Sequence, residues 1–298
     1  MNLQQLEYIQ ALDKHRHFGK AADACKVTQP TLSTMIQKLE DELGVKIFDR
    51  SHQPIVPTPV GRRILDQAGV ILMQAAQMHQ VILEEAEAVT GTLRLAVLPT
   101  IAPYLLPRIM PLLEQEVPEL KITFVEMKTS ECIEALTLGE VDMALIASRP
   151  GVEQLTEHIL YYEEFMGYVP RSSELVGKRH LWLLDEGHCF RDQLTKFCHL
   201  KYDPRQQLNY SRGSLETFMH FVEQGQGVTF IPELAVEQLD AARRELVRSF
   251  ALPRPTRGVT LVTHREFVRH RLVSAIEGII TRSVPQAMLR LRSGQDLV

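Results

Sequence analysis

The chain has 298 residues, a formal net charge of −4, and 45% hydrophobic and 23% charged residues. That length suits two or three domains around a sizeable core, and the small negative charge excludes a general polyanion binder, so any nucleic-acid surface must be local. The opening MNLQQLEYIQ lacks a basic start followed by an apolar run, and no apolar stretch approaches membrane-spanning length. The expectation is a cytoplasmic protein with no membrane partner, in a compartment where thiols are kept reduced.

Residues 3–13 set Leu3, Leu6, Ile9 and Leu12 on one helical face, and Phe18 to Ala24 begins a second short helix of small residues. A third begins near Thr28. There Pro30 suits a first turn, Leu32, Ile36, Leu39 and Leu43 form an apolar stripe, and Gly44 ends the helix. Helix, short helix, tight turn, helix is the order of a helix-turn-helix, which would place Thr28, Gln29, Thr31, Ser33 and Thr34 against the base edges of double-stranded DNA. The following VKIFDRSHQPIVPTP reads as a hairpin wing, with Arg50 and His52 able to approach phosphate. Taken alone, the pattern also fits any small helical packing unit, because residues 1–60 carry nearly balanced charge. From 58 to 88, Ile64, Leu65, Ala68, Ile71, Leu72, Ala75, Met78 and Ile82 recur at helical spacing. Such a seam either packs on its own domain or wants a partner helix.

The run AADACKVTQPTLSTMIQKLEDELGVKIFDR, followed by TPVGRRIL, resembles the winged helix-turn-helix of the LysR-type transcriptional regulators. The resemblance implies a DNA-binding domain at 1–60, a linker and dimerisation helix at 61–89, and a regulatory domain of two α/β lobes, periplasmic-binding-protein-like, at 90–298. It further implies an activator rather than an enzyme, with no cofactor, acting as a homo-oligomer (dimer or tetramer) that meets RNA polymerase. One departure is His52-Gln53-Pro54 in the wing, where the family often shows basic residues, so fewer phosphate contacts are expected there.

Past Thr90-Gly91 the periodicity changes to strand and helix in alternation, with strands at LRLAVLP, KITFVEM and DMALIAS and helices at 101–116 and 130–139. This argues a parallel sheet covered by helices. A second set follows: EEFMGYV, LWLL and GVTFIP as strands, 214–223 as a helix, then GVTLVTH and a final helix near 267–281 that return the chain to the first lobe. The lobes are expected to be crossed by strands near Tyr161–Glu164 and Val262–Arg265, with the ligand cleft between them. Thr100 is expected to end the first strand and Thr129 the second. Their hydroxyls either cap the next helices or face that cleft.

Reactive chemistry concentrates in DEGHCFRDQLTKFCHL, residues 185–200, which holds two of the four cysteines. Cys189 lies between His188 and, two residues on, Arg191, both groups that can stabilise a thiolate, and it falls near an expected helix start whose exposed amides favour a negative sulfur. Asp185 and Glu186 would act the other way if they point inward. If a regular helix joins Cys189 to Cys198, the two lie on opposite faces about 13 Å apart along the axis. A disulfide tolerates only about 4.4–6.8 Å between Cα atoms, so joining them would require unwinding. Two other readings stand: inert core thiols, and a zinc site of His188, Cys189, Cys198 and His199, whose spacing does not match the usual fingers and leaves the expectation at no metal. Cys25 and Cys132 sit among apolar neighbours and read as packing residues.

Within the family, GHCFRDQ…FC and the VLPT after the first strand resemble the members that sense hydrogen peroxide. That resemblance makes Cys189 the thiol that peroxide attacks and Cys198 the resolving thiol. His188 and Arg191 would tune the field, Thr100 and Thr129 would hold peroxide and water, and a thiol reductant such as glutaredoxin or thioredoxin would reset the pair. Phe190 stands where leucine is expected.

Overall fold

The structure, a computed structural model, describes residues 1–85, 89–147, 150–171, 181–185, 188–198 and 213–298. Met1–Ile82 with Thr137–Glu140 form one compact unit, and Leu83–Leu136 with Val141–Val298 form the other. Among the described residues no helix is long and apolar enough to cross a membrane.

The first unit is built on α1 (Leu3–His15), α2 (Phe18–Ala24) and α3 (Gln29–Leu43). Helix α1 starts on a reciprocal box in which Asn2 Oδ1 accepts from Gln5 N and Gln5 Oε1 accepts from Asn2 N, satisfying two amides that a bare helix end would leave open. Leu6, Ile9, Leu12, Leu32, Ile36 and Leu39 meet in its core, whereas Leu3 and Leu43, the outer members of the expected stripes, are exposed. The helix ends reach past the core, so a periodic residue there has nothing to bury against. The wing is a two-stranded antiparallel ribbon, β1 (Phe48–Asp49) with β2 (Val56–Pro57). Then comes α4 (Pro59–Glu85). Its first turn passes so near the wing that a Cβ on Gly61 would lie 1.9 Å from the Ile47 carbonyl oxygen, which only glycine allows.

The second unit runs β3 (Gly91–Val97), α5 (Ala102–Glu116), β4 (Leu120–Glu126), α6 (Thr129–Thr137), β5 (Met143–Ile146) and the long β6 (Leu155–Tyr168). After β6 come α7 (Cys189–Phe197), α8 (Leu215–Glu223), β7 (Thr229–Pro232), α9 (Glu233–Val236), α10 (Ala241–Arg244), β8 (Val247–Arg248) and β9 (Arg254–His264). It closes with α11 (His270–Ser283), a 3-10 turn at Gln286–Leu289 and β10 (Gln295–Leu297). The strand order is β4-β3-β5-β9-β6-β7, with β8 on β6 and β10 on β9. Strand β3 is parallel to β4 and β5, all four residues of β5 are buried, and this all-apolar run is what a strand covered on both faces requires.

Strands β6 and β9 run antiparallel and pass between the two lobes of this unit. Tyr161–Glu164 lie opposite Thr256–Val259, and Val262 pairs further along with Glu157 across a bulge at Ile159/Tyr161. The LWLL run is not a strand. It makes one bridge, Leu181 to Val228, and Trp182 buries its ring while donating Nε1–H to Gln226 O, so burial alone accounts for its apolar character. Thr100 falls in the turn after β3 and Thr129 opens α6, each a few residues past the strand end it was expected to mark.

Candidate functional site

Cys189 is the first residue of α7 and Cys198 is its C-cap, whose N–H donates to Leu194 O at 2.9 Å. Both are unpaired and half-buried. A helix spanning that interval separates its ends by about 13 Å. His188 occupies the N-cap position but makes no side-chain capping bond, and only Phe190 and Leu194 of α7 are buried. Glu186, Gly187, His199 and Leu200 lie outside the described residues, so the zinc alternative, which needs His199, has no described geometry.

Phe190 is anchored by a group that sequence reasoning did not single out. Its ring lies 4.8 Å from that of Phe165, and the Arg257 guanidinium sits over it at 5.0 Å from the centroid. Arg257 is 1% exposed. It donates to Glu163 Oε1 through Nε at 2.9 Å, to Thr100 Oγ1 through Nη1 at 2.9 Å and to Thr100 O through Nη2 at 2.9 Å. Burial pushes Glu163 up from the ordinary carboxylate value, while the Arg257 charge pulls it back. Glu163 on β6 and Arg257 on β9 are neighbours through the strand pairing, where Glu163 lies opposite Arg257. The available signal was charged residues inside two long strands, because such groups stay buried only when paired.

The two threonines differ. The Thr100 hydroxyl is committed to Arg257, and the following helix α5 has no side-chain cap. Thr129 Oγ1 is buried with no hydrogen-bond partner, so it caps nothing either. A buried unpartnered hydroxyl is costly unless a ligand or water meets it. A cavity of about 440 Å3 opens beside Thr100, bordered also by Lys128, Glu131, His188 and Ser214, and Thr129 is not in its lining. Burial lowers the basicity of His188, Lys128 lowers it further, and Asp185, Glu131 and Asp192 oppose this only in part. Its imidazole is therefore neutral near neutral pH. Arg191 turns back to donate to Leu184 O at 3.3 Å.

Three thiols, Cys25, Cys132 and Cys198, are held protonated. Burial raises Cys198; burial, Glu131 and then Cys189 push Cys132 up to about 12; burial and then Glu7 raise Cys25. In the middle of α7, Gln193 Nε2 donates to Ala147 O at 2.8 Å and to Val298 O at 2.9 Å.

In the first unit, Gln29, Thr31 and Thr34 are exposed at the start of α3 and Ser33 is half-buried. Thr28 is the N-cap: its Oγ1 accepts from Thr31 N and lies 2.8 Å from Thr31 Oγ1, so both hydroxyls are partly engaged. Arg50 is not wholly free for phosphate, since Nη2 reaches Glu40 Oε2 at 3.3 Å and the guanidinium lies 5.2 Å from the Phe18 ring centre. His52 Nδ1 meets Asp49 Oδ2 at 3.1 Å. A basic concavity of about 520 Å3 is bordered by Arg16, Lys20, Gln29, Arg50 and His52.

Residues 3–62 match the family model of the bacterial regulatory helix-turn-helix proteins, lysR family, and residues 86–284 match the LysR substrate binding domain. The chain is 34% identical over 275 residues to a hydrogen peroxide-inducible genes activator of Haemophilus influenzae, a match covering 88% of this chain and 90% of that one. It is similar to the crystal structure of an OxyR from Porphyromonas gingivalis, at 50% identity and a TM-score of 0.66 over 70% of this chain and 99% of that one. It is also similar to a full-length OxyR variant from Pseudomonas aeruginosa, at 34% identity and a TM-score of 0.74 over 94% of this chain and 98% of that one.

Proposed function

The chain belongs to the LysR family of transcriptional regulators, and from that premise we propose a peroxide-responsive, DNA-binding activator whose reacting thiols are Cys189 and Cys198. The observation that carries this reading is the placement of the two cysteines at opposite ends of one poorly capped helix. The Cys189 thiolate attacks hydrogen peroxide, breaking the O–O bond to give a sulfenic acid and hydroxide, which takes up a proton as water. Cys198 then attacks that sulfur, releasing a second water and forming a disulfide. Because the ends of α7 are too far apart for a disulfide, the second step unwinds the helix, and the rebuilt segment alters DNA binding.

The Thr129 hydroxyl supplies the unused hydrogen bond that holds peroxide, and Thr100 fixes Arg257 beside Phe190 as the local positive charge. His188, neutral, serves as a hydrogen-bond partner, and Arg191 shapes the entry by holding Leu184. Thr28, Gln29, Thr31, Ser33 and Thr34 read base edges while Arg50 and His52 meet phosphate. Helix α4, with Met78, Val81 and Ile82 exposed, pairs with a second copy, as a dimer or within a tetramer. The activator contacts RNA polymerase on DNA, and a thiol reductant such as glutaredoxin or thioredoxin restores the pair.

Mass spectrometry after a short peroxide pulse tests the roles. Cys189→Ser should abolish fast oxidation, whereas Cys198→Ser should react at close to the parent rate and stop at the sulfenic acid. Thr129→Val should slow oxidation without loss of stability, since it removes an unpartnered hydroxyl. Thr100→Val should slow it and cost about 1–3 kcal/mol by stranding a buried Arg257 donor. The size of the cavity favours a second reading, a metabolite-responsive regulator with inert cysteines. DNA binding by the parent protein that is the same before and after a peroxide pulse would decide for that second reading.

A further inference from the structure

One thread of contacts, resting on the redox reading above, joins the middle of α7 to β10. Gln193 stands between the two cysteines, and its single amide nitrogen serves two separate elements, the residue after β5 and the residue after β10. Its Oε1 is buried without a partner. Val298 N in turn donates to Thr256 O at 3.0 Å, Arg254 N donates to Gly294 O at 2.8 Å, and Gln295–Leu297 run parallel to Arg254–Thr256 of β9. Thr256 directly precedes Arg257. Further ties come from Arg292, 3.2 Å from Glu164 Oε1, and from Gln295 Nε2, which donates to Glu164 Oε1 at 2.9 Å.

A three-residue strand with two exposed side chains, Asp296 and Leu297, buries little surface of its own. Its docking therefore depends on backbone pairing and on these few side-chain ties. The bonds from Gln193 require α7 to keep its helical backbone, because two acceptors on different elements fix the position of one amide. Bringing Cys189 and Cys198 within disulfide reach must rebuild the helix around Gln193.

We propose that Gln193 is a positioning residue of the switch: while α7 is helical it holds residues 292–298 as a strap on β9, and when α7 unwinds the strap is released. The strap then reports the redox state of α7 to the strand that carries Arg257. Since the two bonds stabilise only the dithiol form, they also raise the reduction potential of the pair.

The test uses the full-length protein. Thiol–disulfide titration of Gln193→Ala should show the pair shifted roughly tenfold toward the disulfide, a potential lower by about 30 mV. Deletion of residues 294–298 should shift it the same way, and the two changes together should add up to less than their sum, because each removes the same contact. In the parent, amide exchange at Arg254 should speed up on oxidation; in Gln193→Ala it should already be fast in the dithiol form. A 189–198 disulfide that forms with unchanged exchange at Arg254, or a Gln193→Ala potential equal to the parent's, overturns the strap and leaves the sensor standing. Failure of the parent to form that disulfide at all overturns both.

Discussion

Helices α3 and α7 carry the two activities proposed here, yet they are secured in opposite ways. The fifteen residues of α3 begin on the Thr28 cap with Pro30 in the first turn, end on Gly44 at φ 69, and bury Leu32, Ile36, Leu39 and Glu40. The nine residues of α7 begin without a side-chain cap, end on Cys198 outside the left-handed region, bury two side chains, and carry unpartnered buried oxygens on Gln193 and Thr195. A missing cap is worth about 1 kcal/mol and each stranded polar atom about 1–3 kcal/mol. On the proposed roles, the helix that presents a fixed face to a base pair is fastened at both ends, and the one that opens on oxidation is left loose.

The contrast is most strongly broken through Arg257, because Phe190 of α7 packs beneath that guanidinium. Arg257→Ala leaves Glu163 buried without its counter-ion, and denaturant unfolding of the reduced protein should show a loss of about 3–5 kcal/mol. A change below about 1 kcal/mol would mean that the pair adds nothing net to the fold. The next effects are smaller and opposite in sign. Thr28→Ala should destabilise α3 by about 1 kcal/mol and weaken operator binding. Thr195→Ala removes a stranded hydroxyl and favours helix, so it should stabilise reduced α7 by about 0.5–1 kcal/mol and raise the potential of the pair by roughly 10–20 mV. A lowered potential in Thr195→Ala would contradict the view of α7 as a helix held below its optimum. The smallest effect concerns acidity. Burial holds the Cys198 thiol above its ordinary value, so near neutrality its thiolate is scarce and grows with pH. Closure of the disulfide from the sulfenic acid should quicken from about pH 7 to about pH 9, by up to roughly tenfold per unit, in quench-and-alkylate time courses. A flat profile would show that unwinding, not sulfur attack, limits the step.

The helices of the first unit were legible in the sequence because Pro30, Gly44 and the 3.6-residue period are local signals, and the start of α7 because helix-forming residues follow the apolar LWLL run. Arg257, Glu163 and Gln193 were not, since their meaning is a partnership across 94 residues for the first two and 105 for Gln193 with Val298. A charge inside a strand signals that some partner is needed but not which residue it is. The LWLL run misled for a related reason: a buried apolar stretch has the same composition whether it pairs along its length or, like Leu181, touches a strand once. Thr100 and Thr129 look alike in sequence, each beside a helix, and only packing separates the one engaged by Arg257 from the one left open.

Glu40, buried at the end of the apolar stripe of α3, accepts from Ile47 N at 2.8 Å, Phe48 N at 3.2 Å, Lys46 Nζ at 3.3 Å and Arg50 Nη2 at 3.3 Å. Thr58 closes the other side, donating to Lys46 O through its hydroxyl and to Ile47 O through its amide. The root of the wing is thus riveted to α3, while the exposed tip from Ser51 to Pro54 bears none of that attachment. Substitutions at the tip can add or remove phosphate contacts one at a time, changing how tightly the protein grips any DNA and how steeply that grip falls with salt, without disturbing which sequence it chooses. If Arg50 and His52 meet phosphate as proposed, affinity and selectivity in this molecule are separately adjustable.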